Sequence, residues 1–218
     1  MGPLIRTRRS EGEHVLDADF FHRWMTAAAG LVDRDAEHLT ELDSAIGDAD
    51  HGSNLRRGFA AVSAALAKEP PQTPGAVLAL AGRQLISTVG GASGPLYGTL
   101  LRRTGKALGD APAVSPADLA RALGEGVAAV SQLGGAQAGD KTMLDALLPA
   151  VDALGTSFAA GRDAARAGAE ATVPLRARKG RASYLGERSI GHQDPGATSA
   201  ALLIDALADT AETAGGEA

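Results

Sequence analysis

The sequence predicts an all-α protein, one domain of about eight helices. Three observations carry that expectation. No stretch shows convincing alternation of apolar and polar residues, the period a half-buried strand imposes, whereas apolar residues recur near helical spacing through most of the chain. Hydrophobic residues make up 44% of the 218 but aromatics only 3%. The apolar mass is therefore Ala, Leu and Val, which favours close-packed helices over an aromatic-rich sheet sandwich. Capping and breaking residues also punctuate the chain at helical intervals. A chain of this length can bury one core, and no Pro/Gly/Ser-rich linker divides it. A leader, 1–16, and a tail, 213–218, are expected to flank a helical domain over 17–212.

The first helix is expected over Ala18–Val32, where Phe20, Phe21, Trp24, Met25, Ala28 and Leu31 form the apolar face and Asp17 or Asp19 the N-cap. A second helix, Ala36 to about Ile46, brings Asp43 one turn ahead of Asp48 and Asp50. Ser53–Lys68 carries Leu55, Phe59, Val62, Ala65 and Leu66 on one side and stops at Glu69-Pro70-Pro71. Gly75–Ser87 follows, and Gly90-Gly91-Ala92-Ser93-Gly94 opens a helix from Pro95, at N1, to about Leu108. Ser115-Pro116 starts another, to about Leu133, ended by Gly134-Gly135. A helix from about Leu144 to Leu154 contains Pro149, where a kink or break is expected because proline removes an interior hydrogen bond. Ser157–Ala171 is alanine-rich and helical, with Arg162 and Arg166 on a solvated outer face. The stretch Ala177–Thr198 is a long polar loop leading into the final helix, Ala197 to about Ala211. Loops that alternate along an up-and-down helical chain gather at one end.

The chemistry concentrates at Leu42-Asp43-Ser44-Ala45-Ile46-Gly47-Asp48-Ala49-Asp50-His51-Gly52. Like charges this close repel, so a folded chain keeps them where a cation or solvent neutralises them. Carboxylates are hard ligands suited to Mg2+ or Ca2+. An EF-hand register fails, since with Asp48 at position one, position five is Gly52 and position twelve is Phe59. Mg2+ takes one or two carboxylates and completes its shell with water and phosphate oxygens. Each aspartate alone would be an ordinary turn residue. Asp43, Asp48 and Asp50 together, beside His51-Gly52, read as a metal site serving phosphate chemistry.

The helix after this bend turns its N-terminus, the anion-binding end, toward the acids, so His51, Gly52, Ser53 and Asn54 are candidate phosphate contacts. The loop containing Ala92 and Ser93 is a second candidate cradle. It is not a Walker A loop: Gly105-Lys106 is followed by Ala107, and no G-x-G-x-x-G occurs. The arginines of the late loop suit phosphate geometry.

Composition excludes other classes. Without cysteine there is no disulfide, thiolate nucleophile or Cys-ligated metal, and the cytoplasm is the expected compartment. A net charge of −5 argues against a nucleic-acid surface. Arg6, Arg8 and Arg9 are followed by no apolar run, so no export signal is complete, and no uninterrupted apolar run is long enough for a membrane span.

Taken in order, Leu42–Gly52, Gly90-Gly91-Ala92-Ser93-Gly94-Pro95-Leu96-Tyr97-Gly98, Gly139-Asp140-Lys141-Thr142-Met143 and Gly180–Arg188 with Asp194-Pro195-Gly196 resemble the ADP-binding L subunit of dihydroxyacetone kinases, over about Asp17 to Asp209. The resemblance implies an eight-helix barrel with a nucleotide held by loops at one end. It implies two Mg2+ on Asp43, Asp48 and Asp50, and phosphate contacts from His51, Gly52, Ser53, Asn54, Ala92 and Ser93. Gly134, Met143, Arg181, Asp194, Pro195 and Gly196 would complete the pocket. It further implies that tightly bound ADP accepts a phosphoryl group from a phosphohistidine carrier, the M subunit, fed by phosphoenolpyruvate. The group passes to dihydroxyacetone on a separate K subunit. No side chain is expected as nucleophile, and His51 is expected as a phosphate contact rather than a phosphocarrier. Two alternatives stand beside this: an ATP-exchanging kinase subunit for another small ketose or a partner-borne lipid, and a nucleotide-loaded adaptor for a transcription regulator.

Overall fold

The computed structural model describes residues 15–216. Of the leader expected over 1–16, residues 1–14 lie outside the described residues, as do 217–218 of the tail. Among the described residues there are nine α-helices: α1 (Ala18–Arg34), α2 (Ala36–Ile46), α3 (His51–Lys68), α4 (Pro74–Thr88), α5 (Ser93–Leu108), α6 (Pro116–Gly134), α7 (Leu144–Leu154), α8 (Phe158–Glu170) and α9 (Pro195–Gly216). Eight close a ring. α1 packs on α3, each helix from α3 to α9 packs on the next, and α9 returns to α1. The ninth, α2, lies against α3, α9 and a 3₁₀ segment at Arg181–Ser189. The eight-helix barrel implied by the resemblance is therefore present, with α2 added.

The ring encloses one continuous core to which every helix of the ring contributes, with Phe21, Trp24, Phe59, Leu78, Leu100, Leu123, Leu147, Ala165 and Leu207 all buried. It is closed at α1–α9 by Trp24, whose indole N–H donates to the Leu203 carbonyl at 2.9 Å. Between α4 and α5 the side chains are small: a Cβ added at Gly98 would stand 2.7 Å from the Gly82 carbonyl, so only glycine permits this approach.

Local signals place most boundaries. Asp17 caps α1 by accepting from the Phe20 N–H at 3.0 Å, and Ser115 with Asp118 forms a capping box on α6. Four differences have physical causes. α3 begins at His51 rather than Ser53, because the Asp43 carboxylate accepts from the Asp50 and His51 N–H groups at 2.9 and 3.2 Å and supplies the cap from another helix. α7 runs through Pro149 unbroken; the Asp145 carbonyl that proline leaves without its helical donor faces the bare backbone of Gly168 in α8. Arg162 and Arg166 are not merely solvated. Arg166 forks onto Asp205, and Arg162 reaches Asp209 and Glu212 at 3.3 and 3.0 Å, clamping α8 to α9. The fourth is the small antiparallel pairing of Leu16–Asp17 (β1) with Ala113–Val114 (β2), too short to leave a period in the sequence. No helix among the described residues is long and apolar enough to cross a membrane.

Candidate functional site

One cleft of about 800 Å³ opens among the α2–α3 bend, the loop before α5, the α6–α7 connection and the segment leading to α9. That is within the usual range of small-molecule sites. Asp43 sits in the last turn of α2 and is buried. Ala49 holds a left-handed φ of +61°, unusual for a residue with a Cβ. Asp48 and Asp50 flank it. Asp50 is the N-cap of α3 yet makes no side-chain capping bond, since Asp43 performs that task. The three carboxylates thereby converge, each offering an oxygen within 4.8 Å of the others. Asp48 also meets the Arg181 guanidinium at 3.0 Å.

His51 lies under the cluster in a chain of hydrogen bonds. Its Nδ1 is 3.2 Å from Ser93 Oγ, its Nε2 is 2.8 Å from Ser199 Oγ, and Ser199 is 2.7 Å from the Tyr97 hydroxyl. Burial pushes the imidazole pKa below its ordinary value, against the pull of Asp43 and the other acids. His51 is therefore neutral at pH 7 and carries one ring proton. Burial likewise pushes the Tyr97 phenol up, so it keeps its proton as a donor.

At the far wall Asp194 is buried and caps α9, accepting from the Ala197 N–H at 2.7 Å. Burial pushes its carboxyl up to about 7, with the Ala197 amide and Lys141 opposing and Asp145 reinforcing the rise. Arg178, Lys179 and Arg181 form a basic wall, while Leu96, Val130, Leu133 and Met143 form an apolar one. Acid and base thus face each other across the same cleft.

Of the residues read from the sequence, Asp43, Asp48, Asp50, His51, Ala92, Ser93, Gly134, Met143, Arg181, Asp194, Pro195 and Gly196 all line this cleft. Gly52, Ser53 and Asn54 do not. Gly52 is backed against the Ala36 carbonyl, the Ser53 hydroxyl donates to the Asp50 carbonyl at 3.0 Å, and the buried Asn54 side chain accepts from Arg57. What remains at that turn is backbone: the Asn54 N–H is paired with the Asp50 carbonyl, whereas the N–H groups of Gly52 and Ser53 occupy first-turn positions that a helix leaves unpaired. Sequence reasoning missed Ser199, Tyr97 and Lys141. Ser199 had a faint signal, a hydroxyl on the apolar side of an alanine-rich helix. Nothing in the local sequence announced that it meets His51, 148 positions away.

The DAK2 domain model matches residues 45–209. The PEP-dependent dihydroxyacetone kinase ADP-binding subunit DhaL of Escherichia coli is 42% identical over 195 residues, covering 85% of this chain and 93% of that protein. The ADP-binding subunit DhaL of PEP-dependent dihydroxyacetone kinase 2 from Listeria innocua is 40% identical, covering 93% and 99% respectively. Among solved structures, the dihydroxyacetone kinase of C. freundii matches at 27% identity over 96% of this chain. The TM-score is 0.72 for its native form and 0.67 for its complex with AMP-PNP and Mg2+; the match spans 38% and 37% of those longer chains. Because the domain match spans most of the chain and the bacterial relatives align over nearly their whole lengths, this chain belongs to the DAK2 domain family, alongside the separate ADP-binding subunits of dihydroxyacetone kinases.

Proposed function

We propose that this chain is the ADP-binding subunit of a phosphoenolpyruvate-fed dihydroxyacetone kinase, acting with a K subunit that holds dihydroxyacetone and an M subunit that delivers phosphoryl groups from phosphohistidine. The observation that carries the reading is the meeting, in one cleft, of three clustered carboxylates with a basic wall. That donor set fits Mg2+: all three are hard oxygens and close enough to share ions, and Asp50 is released from capping duty. Asp43, Asp48 and Asp50 would hold two Mg2+. Bound ADP with its metals supplies the phosphoryl carrier between donor and ketose.

The chain's own residues do the rest by position and charge, which is what phosphoryl transfer requires. The first-turn N–H groups of α3, which a helix leaves unpaired, and the Ala92–Ser93 turn at the head of α5 would offer donors to phosphate oxygens. Neutral His51, braced by Ser199, holds Ser93 in place. Arg181 lies against Asp48 and is in reach of the same anion. Gly134, Met143, Pro195 and Gly196 line the remaining walls, where Val130 and Leu133 add apolar surface suited to a base. No side chain is needed as a nucleophile.

The test is to denature the purified protein, identify the nucleotide released, and follow exchange of bound nucleotide against labelled ATP in Mg2+ buffer. Stoichiometric ADP that does not exchange is the expected result. A protein that neither retains nor binds ADP with Mg2+ overturns the reading, and rapid exchange would make ATP the donor instead.

A further inference from the structure

Of the stretch Gly139–Met143, Lys141, Thr142 and Met143 all line the cleft. Lys141 has the more unusual surroundings. It is 1% exposed, the one buried lysine among the described residues. Its ammonium is paired with main-chain carbonyls rather than with a carboxylate. Nζ donates to Thr172, Leu175 and Ser189 at 2.9, 3.1 and 2.8 Å, and to His192. Those four carbonyls all belong to the connection between α8 and α9. The same connection carries Arg178, Lys179, Arg181 and Asp194 into the cleft.

Other bonds hold this connection as well, among them that from the Ala177 N–H to the Ser189 hydroxyl at 2.9 Å. The Arg178 N–H donates to the Asp140 carbonyl at 3.0 Å, the Gly191 N–H to Val173 at 2.8 Å and the Asp194 N–H to the Thr172 hydroxyl at 2.9 Å. A 3₁₀ segment interrupted at Gly186 has little cooperativity of its own. Burying an ammonium is costly unless its donors are satisfied, and Lys141 also sits at φ +62°, a conformation that disfavours side chains. The four carbonyls satisfy every donor of the ammonium. An ammonium has three donors and the cage has four acceptors, an arrangement that a spherical monovalent cation also accepts, as carbonyl rings do for K+.

We propose that Lys141 is a positioning residue, a tethered cation around which residues 172–192 fold so that Arg181 and Asp194 are held at the cleft. Its effect on ligand affinity rests on the nucleotide reading above; its hold on the connection does not.

The experiment uses the full chain with Lys141→Gly, which removes the ammonium at a φ that glycine favours, and Lys141→Met, which keeps the apolar stem. Two quantities are measured: hydrogen exchange at the Arg178, Gly191 and Asp194 amides against amides in α4 and α5, and ADP affinity in Mg2+ buffer. Each is measured in NaCl, NH4Cl and tetramethylammonium chloride at equal ionic strength. In Lys141→Gly, exchange at the three amides should rise at least tenfold with α4 and α5 unchanged, and the Kd for ADP should rise at least tenfold. Ammonium should recover threefold or more of both losses in the glycine variant; tetramethylammonium, which has no N–H donor, should recover neither. Unchanged protection at the three amides overturns the proposal. So does local loss with unchanged ADP affinity, loss that ammonium does not recover, or failure of both variants to fold even in NH4Cl. If the unaltered protein binds no ADP, the nucleotide reading fails, and the exchange data still decide what Lys141 holds.

Discussion

Asp43 combines two tasks: its carboxylate takes two amides at the head of α3 and shares the cluster with Asp48 and Asp50. Asp48 and Asp50 have no such structural duty, so they separate ligand binding from folding. Asp48→Ala and Asp50→Ala should each lower Mg2+-dependent ADP affinity by two orders of magnitude or more and leave the helical circular dichroism unchanged; calorimetric titration with and without Mg2+ is the check, and intact affinity in both variants would refute the metal assignment. Asp194 predicts a pH effect. Its folded pKa of about 7 lies above the ~3.9 of an unfolded aspartate. The folded state therefore keeps a proton that the unfolded chain releases, and the associated stability, full below about pH 4, is lost as pH rises toward 7. Asp194→Asn keeps an oxygen to accept from the Ala197 amide and removes the charge. Between pH 5 and pH 8 the nucleotide-free protein should lose on the order of 2 kcal/mol more than this variant in urea melts. Parallel pH curves would show that Asp194 titrates normally.

At the scale of elements, two kinds of joint hold the cleft. Helix termini meet through polar groups: α2 caps α3 through Asp43, while Ser93, His51, Ser199 and Tyr97 join α3, α5 and α9. Helix bodies meet through small residues, and α4–α5 is the clearest case. A Cβ at Gly98 would strike the Ile86 side chain and stand 2.7 Å from the Gly82 carbonyl, which is main chain and cannot swing aside. Gly98→Ala should therefore force α4 and α5 apart at a cost of about 1–3 kcal/mol, despite alanine's better helix propensity. Urea denaturation measures it, and a stabilised variant would mean that the two helices can part without loss. The widening should also lower ADP affinity, because α5 presents Ala92 and Ser93 at its head.

For the molecule as a whole, the ring of eight helices is the rigid frame and the cleft is an opening at its rim where loops of distant sequence meet. Ligand that binds only the folded ring stabilises it by mass action. ADP with Mg2+ at a hundred times its Kd should add about 2.7 kcal/mol. That corresponds to a rise in Tm of roughly 5–10 °C for a chain of this size. Differential scanning calorimetry with ADP, with and without EDTA, tests this: chelation should return Tm to that of the nucleotide-free protein, and an ADP-induced rise that survives EDTA would place the acids outside the binding energetics.

By itself the sequence determined the helices and the acid cluster. Both are local properties: Asp17, Thr73, Ser115 and Ser157 cap helices with their own side chains a few residues away, and Asp43, Asp48 and Asp50 lie close enough in the chain that one bend unites them. The same locality accounts for the errors. α3 starts early because its cap comes from a different helix, α7 runs through Pro149 where the Asp145 carbonyl lies against Gly168 of α8, and Arg162 and Arg166 find acids on α9 that no spacing rule connects to them. Tertiary structure alone decided that Gly52 is backed against the Ala36 carbonyl while Ser53 and Asn54 spend their side chains on Asp50 and Arg57, that Ser199 and Tyr97 brace His51, and that one lysine gathers four carbonyls from 31 to 51 residues downstream. Such contacts depend on ring closure. Their energy resides in partners brought together from afar, and it leaves no period, cap or motif in the chain that could be read beforehand.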